Sequence, residues 1–181
     1  METIKNMKRV TIMNYVLCAL FIILGVVSRL ITHVPNFTPI LSIALLSGLY
    51  IKNRFIVLIP ISIMLVSDLF IGSHITAPWV YFSILIICMI GYLIKNNISN
   101  VFFYSILSSI VFFIISNFGV WFSGGYTYSL EGLIACYIAA IPFFKNTLMS
   151  TVFFSFLIHA LNAAIVRYCL PKNESNKILE H

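Results

Sequence analysis

The sequence predicts an all-α integral membrane protein. The expected form is a bundle of six transmembrane helices with cytoplasmic N- and C-termini. A short interfacial or re-entrant helix lies between helices five and six. Three observations predict this. Of 181 residues, 61% are hydrophobic and only 9% are charged, against roughly 25% charged in a soluble domain. The mean hydropathy is +1.04, so lipid must be the solvent over most of the surface. The apolar residues also fall in runs suited to crossing a bilayer core of ~30 Å, with basic residues clustered between them.

The elements follow in order, all within one domain, 1–181. Lys5, Lys8 and Arg9 precede helix one, expected over 14–31. That run is long for a signal-peptide core and lacks a small-residue cleavage site, so it is read as retained. The turn His33-Val34-Pro35-Asn36 leads to helix two, 37–51, which stops at Lys52-Asn53-Arg54. Helix three, 55–72, ends at Gly72, Ser73, His74 and Pro78. Helix four, 79–94, ends at Lys95-Asn96-Asn97. Helix five, 100–122, is closed by Ser123-Gly124-Gly125, and helix six, 147–170, by Pro171. Residues 132–144 are apolar but short for a span and carry Pro142 near their end. They are expected to form the interfacial piece.

Charge placement agrees with six spans. Lys5, Lys8, Arg9, Lys52, Arg54, Lys95, Arg167, Lys172 and Lys177 fall on the inner side, and only Arg29 and Lys145 on the outer half, nine against two. This is a strong positive-inside bias. The net charge of +6 forms no patch of the kind that binds nucleic acid, which is excluded as a partner. Cys18, Cys88, Cys136 and Cys169 are isolated, with no C-x-x-C pair. They read as small buried hydrophobes rather than metal ligands or a disulfide framework. No metal and no cofactor is expected.

Ionisable groups within apolar helices are costly and usually functional. At 1.5 Å rise per residue, Asp68 lies about 21 Å from Arg54, Arg29 about 22 Å from Asn14, Thr38 about 21 Å from Lys52 and Asn117 about 25 Å from Asn100. Four helices thus place a polar group at one depth, with Asn36, His74, Trp79 and Trp121 just beyond it. This outlines an outward-facing pocket above an apolar plug, the usual form of a small-molecule site. The candidate substrate-binding residues are Arg29, Asn36, Phe37, Thr38, Asp68, His74, Asn117 and Trp121. Other readings stand beside this one. Arg29 and Asp68 could only pair with each other, Asn36 and Thr38 could cap helix two, and His74 and Trp79 could sit at the interface. His159 and Asn162 suit a helix-to-helix hydrogen bond. Tyr126-Thr127-Tyr128 reads as a lid or an interfacial belt. Ala44-x-x-x-Gly48 and Ala160-x-x-x-Ala164 have the spacing for close helix approach.

Several strings resemble a known family. They are Asn36-Phe37-Thr38-Pro39-Ile40, Leu65-Val66-Ser67-Asp68-Leu69 followed by Gly72 and His74, Ser116-Asn117-Phe118-Gly119-Val120-Trp121, and Leu133 through Thr147. Over Arg29 to Thr147 the chain resembles a family of uncharacterised bacterial membrane proteins. By shared architecture that family is similar to the substrate-binding S components of energy-coupling-factor (ECF) vitamin transporters. The resemblance implies six helices, a vitamin-like micronutrient bound near the outer face, and location in the bacterial cytoplasmic membrane. It implies as partner an energising membrane subunit with two ATPases, or solitary transport as in similar vitamin B12 transporters. Helix one departs from the Ala-x-x-x-Ala pattern of many S components, reading Cys18-Ala19-Leu20-Phe21-Ile22-Ile23-Leu24-Gly25.

The expected function is therefore binding and transport of a small vitamin-like molecule by a membrane protein that is not an enzyme and has no catalytic residues. Two alternatives belong to other classes. A structural or assembly subunit would co-purify with a partner and hold an empty pocket. An intramembrane enzyme would draw on Asp68 and His74, but no HExxH, carboxylate pair or Ser–His arrangement supports it.

Overall fold

The structure, a computed structural model, describes residues 19–31, 34–51 and 54–169. The described residues form six helices and no strand. α1 is Ala19–Leu30. α2 is Ile40–Tyr50, and a 3-10 turn at Arg54–Val57 leads into α3, Leu58–Ile71. α4 is Ala77–Leu93, α5 Ile98–Val120 and α6 Leu130–Cys169. The expected start of helix one at 14–18, His33, Lys52, Asn53, Pro171 and the basic residues of both termini lie outside the described residues.

α2 is the centre of the fold. Its residues Ile40–Leu49 are all buried, and it touches α3, α4, α5 and α6. A helix apolar on every side has no face to give to solvent, so it belongs inside the bundle. Its closest neighbour is α4. A Cβ on Gly91 would run into the Leu45 carbonyl, and one on Gly48 into the Cys88 carbonyl. The two glycines therefore let the backbones touch. Ala44 is fully buried on the same helix. Ala160 and Ala164 of α6, by contrast, face outward.

Local chemistry sets the helix ends. Gly72 stops α3 at φ 92°, and its N–H donates to the Asp68 carbonyl (2.9 Å). That left-handed backbone suits glycine. Pro78 sits in the first turn of α4, where its missing N–H costs nothing. Asn97 caps α5 by accepting from the Ser99 N–H (2.9 Å). Asn97→Ala should cost about 1 kcal/mol in thermal unfolding, and Asn97→Asp should restore it. α5 runs on into a π turn, Trp121–Gly125, with Gly124 at φ 83°. Ser129 then accepts from the Gly132 N–H (3.1 Å) and opens α6.

The separate interfacial helix expected at 132–144 is corrected by the structure. Those residues are the first part of α6, which runs unbroken for 40 residues, about 60 Å. Pro142 removes one backbone hydrogen bond but lies on the exposed side of the helix. A buried stripe continues past it through Gly132, Cys136, Ala140, Thr147 and Thr151, the spacing of one helical face. α5 holds this first arm in place. The Tyr137 hydroxyl donates to the Ile114 carbonyl (2.7 Å), and Phe113 packs on Phe144 with ring centroids 4.8 Å apart. Two helices, Ile98–Gly125 and Leu130–Tyr168, are long and apolar enough to cross a membrane, with mean hydropathies of 2.1 and 1.8; the other four are shorter.

Candidate functional site

α1 and α3 meet where Gly25 lies against the Ile63 side chain. One turn further along, Arg29 reaches across to α3. Its Nη2 stands 2.8 Å from Asp68 Oδ1, an ion-pair contact rather than an aligned hydrogen bond. Its Nη1 donates to Ser67 Oγ (2.6 Å) and also lies 2.8 Å from Met64 Sδ. Asp68 Oδ2 accepts from the Tyr81 hydroxyl of α4 (2.8 Å). The Arg29 and Asp68 side chains are 14% and 9% exposed, so each charge depends on the other. One polar knot thus joins α1, α3 and α4.

Arg29 also forms one wall of a cavity of about 240 Å³. The other polar groups lining it are Asn36, Thr38, His74, Thr147 and Ser150. Met64, Ile84 and Phe112 contribute apolar wall, and Ile40 and Leu41 bring the start of α2 to it. The α1–α2 connection is fastened beside this cavity. Asn146 Nδ2 donates to the Pro35 carbonyl (3.0 Å), and Ser150 Oγ to the Asn36 carbonyl (3.3 Å). Asn36 holds a left-handed φ of 61°, which asparagine tolerates better than most residues.

Three cavity residues are uncommitted. Among the described residues, the side chains of Asn36, Thr38 and His74 make no hydrogen bond. Neither Asn36 nor Thr38 caps α2, the alternative open to them in the sequence, because no side chain caps it. A larger groove of about 810 Å³ lies between α5 and α6, walled by Phe102, Met149, Phe153 and Phe156. Among the described residues no polar side chain lines it to orient a ligand, which makes the smaller cavity the candidate site.

The structure divides the residues singled out from the sequence. Arg29, Asn36, Thr38 and His74 meet at the cavity, and Asp68 stands behind Arg29. Phe37 packs its ring on Phe154 instead, with centroids 5.7 Å apart. Asn117 donates to the Phe113 carbonyl of its own helix (2.7 Å). Trp121 joins a separate aromatic group. Its indole N–H donates to the Thr127 carbonyl (3.0 Å), and its ring lies 5.6 Å from Phe118 and 5.8 Å from Tyr128. Trp79 packs on Phe118 and Phe122, over Gly119. His159 meets the Tyr50 hydroxyl at 2.6 Å, joining α6 to the far end of α2.

Sequence reasoning missed Tyr81, Thr147 and Ser150. Tyr81 carried a readable signal, since it lies about as far beyond the Gly72–Thr76 turn as Asp68 lies before it. The two small hydroxyl residues carried none, because serine and threonine are common in apolar helices.

No curated protein and no solved structure matches the chain. Residues 10–172 match a family described as "family of unknown function (DUF6580)", and the protein belongs to that family.

Proposed function

We propose that the chain is a multi-pass membrane protein that binds a small polar solute in the Arg29 cavity and serves its uptake. The observation that carries this reading is the cavity itself. Polar side chains from α1, the α1–α2 connection, the α3–α4 turn and α6 converge there, and three of them make no hydrogen bond among the described residues. Few convergent polar groups in an otherwise apolar recess are the usual form of a ligand site.

The membrane reading draws on the two long apolar helices and on the large apolar side chains that face outward. Leu69, Phe70, Ile75 and Leu93 are all more than 70% exposed. Patches of this kind need lipid or a partner to cover them. Lys145 and Arg167 bracket about 33 Å of α6, one bilayer core. Asn146, next to Lys145, holds the α1–α2 connection. The cavity then lies near the outer surface, and the first arm of α6 projects outward with the end of α5. The irregular backbone at 34–39 fits this placement, because non-helical chain near the membrane is tolerated where it lines a cavity. The S-component resemblance adds the solute class, a vitamin-like micronutrient, and an energising subunit with ATPases as partner. The location is the bacterial cytoplasmic membrane.

Mass spectrometry of small molecules released from the detergent-purified chain tests this. Wild type is expected to release one compound at near one-to-one ratio. Thr38→Val, which keeps shape and removes the hydroxyl, should retain at least tenfold less at an unchanged melting temperature. An empty wild-type protein that instead co-purifies with another subunit would replace binding with an assembly role.

A further inference from the structure

The cavity's donors narrow the solute further, given the binding reading above. We infer that the cavity holds a small carboxylic acid, with its carboxylate between Arg29 and the N-terminus of α2. Three observations converge on an anionic oxygen group.

The first is the start of α2. Ile40 and Leu41 are buried and line the cavity, yet no side chain caps the helix. Among the described residues, the first amide of this helix to find a backbone acceptor is Ile43, on the Pro39 carbonyl (2.8 Å). Buried first-turn amides need a partner. The positive end of the helix dipole favours one that carries negative charge. Thr38-Pro39 has the usual sequence of a cap, but among the described residues the Thr38 hydroxyl makes no hydrogen bond.

The second is Arg29. One donor of its Nη1 is directed at Met64 Sδ, a weak acceptor. A carboxylate oxygen would be a far stronger partner for a guanidinium. Methionine is unbranched and flexible enough to yield that place.

The third is the balance of charge. Asp68 is turned to Arg29 and Tyr81, and among the described residues no acidic side chain lines the cavity. A bound amine would meet the guanidinium and the positive helix end, with Asp68 already engaged by Arg29 and Tyr81, so a carboxylate is the better match. The volume sets the size. At about 240 Å³ the cavity falls below the roughly 300–1,000 Å³ of drug-sized sites, so the acid is small. Ile84 and Phe112 face its apolar remainder.

Two measurements decide this. The compound released from wild type should carry a carboxylate. Thr38→Asp builds a carboxylate into the cavity and should cut retention of that compound at least tenfold while raising the melting temperature. Thr38→Asn, the neutral counterpart, should do less of both. A released compound without a carboxylate overturns the inference and leaves the binding reading standing. So does a Thr38→Asp protein that retains as much compound as wild type, or more. An empty wild-type protein removes the binding reading itself, and with it the inference.

Discussion

Asp68→Ala should destabilise the protein by about 3–5 kcal/mol, the usual cost of removing one partner from a buried ion pair. The cause is what stays behind. Arg29 is only 14% exposed and would keep its charge with Ser67 Oγ and a thioether as neighbours. The Tyr81 hydroxyl would lose its acceptor as well, leaving a second polar group unpaired. Chemical unfolding of the purified full chain measures the loss. The double variant Arg29→Met/Asp68→Leu should recover most of it, because replacing both charges by apolar groups removes the desolvation penalty together with the attraction. A loss under about 1 kcal/mol for Asp68→Ala would mean that water already satisfies the pair.

Gly91→Val should cost about 3 kcal/mol, at the upper end for overpacking a well-packed core. The obstacle is backbone rather than a mobile side chain, since the new Cβ would meet the Leu45 carbonyl. α2 and α4 would have to separate, and α2 also contacts α3, α5 and α6. The strain therefore cannot be confined to one interface. Ala164→Val, on the exposed side of α6, is the control and should stay within about 0.5 kcal/mol. Equal melting temperatures for the two variants would show that the α2–α4 crossing is not a tight contact.

Helix positions were legible because apolar runs and basic clusters alternate along the chain. The continuity of α6 was not. Pro142 and Lys145 both signal a break, and only the three-dimensional packing shows that they lie on the exposed side while the buried stripe runs past them. Equal expected depth made an Arg29–Asp68 pair possible without deciding it, and the structure brings the two together. Asn117 shares that depth but donates to its own helix. Distance along an axis is one coordinate, and rotation about that axis is another that spacing does not supply. The same gap separates Phe37 and Trp121 from the cavity. The missing cap on α2 was hidden for the opposite reason. Asn36 and Thr38 both offered a possible cap, and only the geometry shows that no side chain caps the helix.

The continuous α6 has a mechanical consequence for the central helix. Four residues ahead of α2, Ser150 holds the Asn36 carbonyl. Along its length, Ser42 Oγ donates to the Thr151 carbonyl (2.8 Å). At the other end, Tyr50 meets His159. All three anchors sit on a single rod. α2 therefore behaves like a shaft carried in three bearings on one rail. It cannot slide by a turn without releasing Ser42 and Tyr50 together and pulling on the segment that Ser150 holds.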